Sequence, residues 1–302
     1  VSGGSKDFKY NVSYAHNQEN SIMEKSGYNK DNIGAKLQAK LNKWLTFDFN
    51  ARMAYQKIKG LSGGADTNDS NAANSTVAQT ITFAPIQELV SSDDDEENSA
   101  SSRRSPMERL DGTYKLQTRF QQNYNAALTW KPIKHWTAKT EFGYGWKYND
   151  TDQAWTALAV NNSKFGHNGR PQAQFVRDTY KSWRNANTLT YDNNKLFGGR
   201  DHLNVLIGHE WSSDMQTTRT STSVDFPVDF TIDQVLSFTN TAESTLGNEV
   251  DIKAKENMLS FFGRVNYTLA DKYLMTFTLR EDGSSKFGNG NRWGLFPSAA
   301  LA

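Results

Sequence analysis

Thr113-Tyr-Lys-Leu-Gln-Thr-Arg-Phe-Gln-Gln-Asn-Tyr-Asn-Ala-Ala-Leu-Thr-Trp130 is the stretch whose reading decides the fold. One parity holds Tyr114, Leu116, Thr118, Phe120, Tyr124, Ala126, Leu128 and Trp130. The other holds Lys115, Gln117, Arg119, Gln121, Asn123, Asn125 and Thr129. Side chains of a β-strand alternate between its two faces, so the first set forms an apolar face and the second a polar one.

The same alternation recurs along the chain. It predicts strands over Phe8–His16, Asn32–Leu41, Leu45–Gln56, Thr113–Trp130 and Trp136–Tyr148. It continues over Phe175–Tyr191, His202–Trp211, Met258–Thr268 and Tyr273–Arg280, and a last strand begins near Gly294. The expectation is an all-β chain of about ten antiparallel strands. The links after the second, fourth, sixth and eighth strands are short, and the others are long. Short turns on one side and long loops on the other are the pattern of an outer-membrane β-barrel.

Composition agrees. Hydrophobic residues are 36% of the 302 residues, and the mean hydropathy is −0.73. No run of about 18 apolar residues is present, so no transmembrane helix is expected. A barrel needs only alternate apolar residues, and its loops are polar. A formal net charge of +1 gives no support for a nucleic-acid partner. With no cysteine, disulfides and thiolate metal sites are excluded. The start, Val1-Ser-Gly-Gly-Ser5, has neither the basic nor the apolar region of a signal peptide. Ser298-Ala-Ala-Leu-Ala302 stops inside a predicted strand, so the chain reads as a fragment of something longer.

The aromatic residues fall into two sets. Trp44, Trp130, Trp136, Tyr191, Tyr267 and Tyr273 sit at or beside the short turns. Tyr14, Tyr55, Tyr114, Tyr148 and Trp211 lie toward the long loops. Two belts of this kind fit membrane interfaces, where the ring is buried and its polar tip stays wet. Hairpin-end aromatics of a soluble sheet are the alternative.

The last fifth of the chain resembles the SusC/RagA class of TonB-dependent outer-membrane transporters. The residues are Ser260-Phe-Phe-Gly-Arg-Val-Asn-Tyr267, Asp271-Lys-Tyr-Leu274, Arg280-Glu-Asp-Gly-Ser-Ser-Lys-Phe-Gly288 and Asn291-Arg-Trp-Gly-Leu-Phe-Pro-Ser298. Val1-Ser-Gly-Gly4, Tyr10-Asn-Val-Ser13, Asn42-Lys-Trp-Leu45 and His202-Leu-Asn-Val-Leu206, with Gly208 and Glu210, extend the likeness across the chain. The resemblance implies part of a barrel of about 22 strands around a plugged lumen. The N-terminal plug, the segment that engages TonB and the remaining C-terminal strands would lie outside residues 1–302. It also implies nutrient uptake through a Gram-negative outer membrane, energised by TonB. The cargo would be oligosaccharide or peptide, and a SusD-like surface lipoprotein would cap the mouth. The loops Lys57–Gly112 and Ser212–Asn257 are candidates for that contact.

In a barrel, the polar parity faces the lumen. It carries Lys36, Lys40, Asp48, Arg52, Lys115, Arg119, Lys139, Glu141, Arg264 and Arg280. Such charges pair with one another, hold a plug or line a hydrated path. Mutual pairing is weighted above contact with cargo. Trp155 and Phe165 offer either stacking surfaces for sugar rings or a satellite apolar cluster. The run Asp93, Asp94, Asp95, Glu96 and Glu97 has oxygen ligands that suit Ca²⁺, but it lacks the spacing and central glycine of an EF-hand. A solvated loop is the preferred reading there, and no other cofactor or metal is expected. Gly283-Ser-Ser-Lys286 lacks the phosphate-loop spacing. No paired histidines and no nucleophile elbow are present, so no enzyme activity is expected. The alternatives are a passive porin and a soluble extracellular β-sandwich that binds glycans.

Overall fold

A computed structural model of the chain describes residues 1–60, 105–159, 170–196 and 199–302. Its strands are β1 (Ser2–Gly4), β2 (Phe8–Asn20), β3 (Gly27–Asn42), β4 (Leu45–Lys59), β5 (Thr113–Trp130) and β6 (Trp136–Trp155). Then follow β7 (Gln172–Leu196), β8 (Asp201–Val224), β9 (Ser244–Ile252), β10 (Glu256–Leu269), β11 (Tyr273–Ser284) and β12 (Trp293–Leu301). Two helical turns, α1 (Pro106–Asp111) and α2 (Ile232–Ser237), lie in the links.

All twelve strands form one antiparallel sheet. Each pairs with the next in sequence, except that β8 pairs with β9 along its upper part and with β10 below. The sheet is open, with β1 and β12 at its ends. Among the described residues no second sheet packs on it, as a sandwich would require.

Register shows how sharply the faces separate. One row of partners from β2 to β12 reads Lys9, Gln38, Asp48, Ala127, Glu141, Ala186, Glu210, Ser260, Asp282 and Gly294. The adjacent row, on the other face, reads Tyr10, Leu37, Phe49, Ala126, Phe142, Asn185, Trp211, Leu259, Gly283 and Trp293. The apolar face is open: Ile207 is 55% exposed, Leu295 60% and Phe277 66%. Water would oppose so large a bare apolar surface, and lipid covers it without cost. Asn185, Asn187 and His209 interrupt this face and satisfy one another in part. Asn187 Nδ2 donates to Asn185 Oδ1 at 2.7 Å and lies 3.2 Å from His209 Nε2.

The apolar band has the height of a bilayer. Trp136 stands beside Tyr191 at one end, with ring centroids 5.1 Å apart. Trp146 stands against Phe120 at the other end, at 5.7 Å. A rise of about 3.3 Å per residue and a tilt near 40° give about 2.5 Å of height per residue, so the span from Trp136 to Trp146 is about 25 Å, the height of an outer-membrane barrel's apolar girdle.

Twelve strands replace the expected ten, because β1 and β9 are short additions at the margins. Several predicted loops are largely strand. The stretch 17–31 narrows to the turn 21–26, since β2 runs to Asn20 and β3 begins at Gly27. Residues 149–155 extend β6, so Trp155 is a strand residue. Much of 212–257 extends β8 and forms β9. The short links, 43–44, 131–135, 197–200 and 270–272, all fall at one end as expected. At the other end, 21–26 and 285–292 are also brief. Beyond the lipid nothing demands apolar residues at alternate positions, so the apolar alternation ends where the ladder does not. The Thr-rich run Thr217, Thr218, Thr220 and Thr222 still suits a strand.

The enclosed apolar cluster lies at that far end. Phe226 and Val235 are fully buried against Ala154 and Ala173, and Tyr114, Phe175, Phe230 and Leu236 pack around them. Residues 225–243 thus form a strap across the upper strands. A capping box starts α2, with Thr231 N donating to Gln234 Oε1 at 2.9 Å. Arg170 fastens the strap through a two-pronged bond to Glu243, at 2.6 and 2.8 Å. That contact holds the Glu243 carboxyl below its ordinary range and the Arg170 guanidinium above its own.

Candidate functional site

The polar face is the candidate site. Register brings Lys36, Lys40, Asp48, Arg52, Lys115, Arg119, Lys139, Glu141, Arg264 and Arg280 to this one face, distributed over β3 to β11. Each reaches it by strand parity alone: a shift of one residue in any strand would send that strand's charges into the apolar band.

Some of these charges pair locally. Lys139 Nζ lies 2.5 Å from Glu141 Oε1. Asp48 accepts a bond from Gln38 Nε2 at 2.8 Å. Arg280 bonds to Asp282 and reaches Ser260 Oγ at 3.0 Å. Its guanidinium also lies 5.5 Å from the centre of the Phe262 ring. Gly208 permits that arrangement. A Cβ there would stand 2.8 Å from the Phe262 ring and 2.8 Å from the backbone oxygen of Asn187, which cannot retreat. Lys36, Lys40, Arg52 and Arg264 form no ion pair among the described residues. Arg119 keeps a buried Nε without a hydrogen-bond partner.

A hollow of about 570 Å³ opens on this face. Lys9, Asn11, Lys36, Gln38, Asp48, Asn50, Asn125, Lys139, Glu141 and Arg184 line it. Its floor is lowered at Gly143, where a Cβ would meet Asn125 Oδ1 at 3.1 Å. The lining changes character across the sheet. Toward β2–β5 neutral amides are prominent, and from β6 onward charges of both signs lie close together. This suits a hydrated surface that contacts polar or zwitterionic groups through many weak bonds. No catalytic constellation emerges from it.

Sequence reasoning missed the acidic partners from the later strands. Glu210 takes the Arg184 guanidinium at 2.6 Å. Asp214 accepts the Tyr180 hydroxyl at 2.7 Å, and Glu256 meets Lys286 at 2.8 Å. The available signal was the parity of β7, the least regular strand by pattern. Its Tyr180, Ser182 and Arg184 alternate with Trp183, Asn185 and Asn187, and the asparagines blur the contrast.

The aromatics expected at the interface are placed as follows. Trp130, Trp136, Tyr191, Tyr267 and Tyr273 share the apolar face near the short turns. Trp44 lies in the 43–44 turn, its amide donating to Asn42 Oδ1 at 2.9 Å. Tyr267 donates to Asp201 Oδ2 at 2.7 Å. Tyr114 belongs to the cluster beneath the strap. Asp93, Asp94, Asp95, Glu96 and Glu97 and Phe165 lie outside the described residues. Among the described residues no group of acidic or histidine side chains is placed to hold a metal ion.

No family model matches the chain. Individual proteins do. TonB-dependent receptor P39 of Formosa agariphila is 24% identical over 99% of this chain and 27% of its own length. TonB-dependent receptor SusC of Bacteroides thetaiotaomicron is 48% identical over 59 residues, 20% of this chain and 6% of that protein. Among solved structures, the RagAB peptide transporter superposes with a TM-score of 0.76 at 20% identity, over 99% of this chain and 32% of that one. The unliganded ferric citrate transporter FecA gives 0.53 at 9% identity, over 100% of this chain and 37% of that one. The chain therefore spans less than a third of the curated relatives it matches and between about a third and two fifths of the solved chains.

An open sheet of long strands, apolar on one face and charged on the other, superposing on these barrels, has the fold of a stretch of wall from an outer-membrane β-barrel of the TonB-dependent kind. Within that class the chain is similar to SusC and to the RagAB transporter, proteins of the outer membrane of Gram-negative bacteria.

Proposed function

We propose that this wall serves active import across the outer membrane, energised by TonB, in a complex with a surface lipoprotein of the SusD/RagB type. The cargo is an oligosaccharide or a peptide. One observation carries the reading: a continuous polar face from β2 to β11, hollowed over β2 to β7, backs an apolar band of bilayer height. In a closed barrel the polar face lines the lumen. Lys36, Lys40, Asp48, Arg52, Lys115, Arg119, Lys139, Glu141, Arg264 and Arg280 then face plug and cargo. Their mixed signs allow pairing with a mobile plug as well as with one another. The names of the relatives support both TonB coupling and a two-component complex.

The test uses the full-length protein in its native membranes. Mild detergent extraction and mass spectrometry should recover a stoichiometric surface lipoprotein, and growth on the cargo should require TonB. Extraction of a solitary barrel whose transport is indifferent to TonB would replace this reading with a passive porin.

A further inference from the structure

We propose that the free edge of β9 accepts an extended polypeptide strand in which basic residues alternate with apolar ones. β9 is the upward continuation of β10. β8 pairs with β10 from His202 to Asp214 and with β9 from Thr217 to Val224. On its other side β9 has no neighbour among the described strands. The next hairpin is too short to reach it: β11 leaves β10 at the Met258–Ser284 pair, and 285–292 turns back into β12. A step in the rim results, with β9 standing above the β11–β12 hairpin.

The direction of the backbone groups follows from one bond. Lys253 N donates to Gln216 O at 3.1 Å, toward β8. In an antiparallel ladder this direction alternates, so Asp251 and Glu249 also face β8. The N–H and C=O groups of Asn248, Val250 and Ile252 therefore face the open side. Unpaired edges of this kind recruit other strands. Ser244–Ile252 contains neither lysine nor proline, two of the usual devices against pairing.

Chemistry selects the occupant. Asp251 and Glu249 stand opposite Thr218 and Thr220, on the polar face. Neither carboxylate forms an ion pair among the described residues. Val250 and Ile252 stand on the other face, 54% and 67% exposed. An added strand places its side chains beside these in the same alternation. Lysine or arginine would meet Glu249 and Asp251, and aliphatic residues would cover Val250 and Ile252. The proposal does not depend on what the barrel transports.

The test uses the full-length protein in nanodiscs and a fluorescent nonapeptide of alternating lysine and valine. Binding is read by anisotropy and by hydrogen exchange over 244–252. Binding should protect the amides of Asn248, Val250 and Ile252. A peptide with the same residues in two blocks, and one N-methylated at alternate amides, should each bind at least tenfold more weakly. Val250→Pro removes an edge N–H without touching the β8 ladder and should cost at least tenfold. Glu249→Lys combined with Asp251→Lys should abolish preference for the basic peptide. Equal binding of the N-methylated peptide would overturn the proposal even if Val250→Pro fails to fold. So would equal binding of the block peptide, or protection of these amides before any peptide is added.

Discussion

Ala126 and Ala127 are adjacent, yet the same substitution should cost far more at the first than at the second. Ala126 lies on the apolar face between Phe49 and Phe142. Ala127 lies on the polar face between Asp48 and Glu141. Ala126 is four residues above the interface residue Trp130, so at about 2.5 Å of height per residue it sits about 10 Å inside a band of about 25 Å. An arginine at that depth on the lipid face costs about 2–4 kcal/mol. At Ala127 the same arginine would enter a hydrated face beside two carboxylates, and its cost should stay within about 1 kcal/mol. Ala126→Arg should therefore lower the folding equilibrium constant by roughly 30- to 700-fold relative to wild type. The assay is refolding of the full-length protein from urea into phospholipid vesicles, with the folded fraction read from its heat-modifiable gel migration. Equal losses at both positions, or a larger loss at Ala127, would refute the assignment of faces.

Three further outcomes are expected. The bond from Arg170 lowers the folded-state value of Glu243, so its contribution to strap docking is complete above the ordinary glutamate value of 4.5 and disappears as pH falls through the lower folded value; hydrogen exchange over 225–243 should rise across that window, and Glu243→Gln should remove the pH dependence. Val235 is fully buried beneath the strap, so Val235→Asp should expose 225–243 to limited proteolysis, whereas Asp233→Asn should leave cleavage unchanged. Ala270 holds a left-handed backbone, φ 54°, a conformation that costs an L-residue about 1 kcal/mol or more; Ala270→Gly should raise the thermal midpoint of the migration assay, and an unchanged or lower midpoint would show that the turn is not strained.

Parity, and hence the two faces, could be read from single strands. Lys36, Lys40 and Arg52 fall on one face whatever their neighbours are, because the pleat alone sets side-chain direction. Lipid made that reading easy, since it demands apolar residues at every second position and nothing else in the chain imposes so strict a pattern. The belts followed from the same demand. Trp130 and Trp136 flank a turn too short to carry them away from the interface.

Only the tertiary structure decided what stands beside what. That Ala127 lies between Asp48 and Glu141, or that Arg184 meets Glu210, depends on register between strands far apart in sequence. The strap could not be foreseen either. Phe226 and Val235 form no periodic pattern, and their value arises only when β6 and β7 bring Ala154 and Ala173 beneath them. The upper halves of β6, β7 and β8 were invisible for a different reason. Above the bilayer no lipid demands apolar residues at every second position, so the backbone ladder persists without an apolar alternation to reveal it. The strands inside the membrane and their faces are legible in the amino-acid order alone, because the bilayer constrains each strand separately. The register, the hollow, the strap and the bare edge of β9 were decided by contacts between strands, which no single segment encodes.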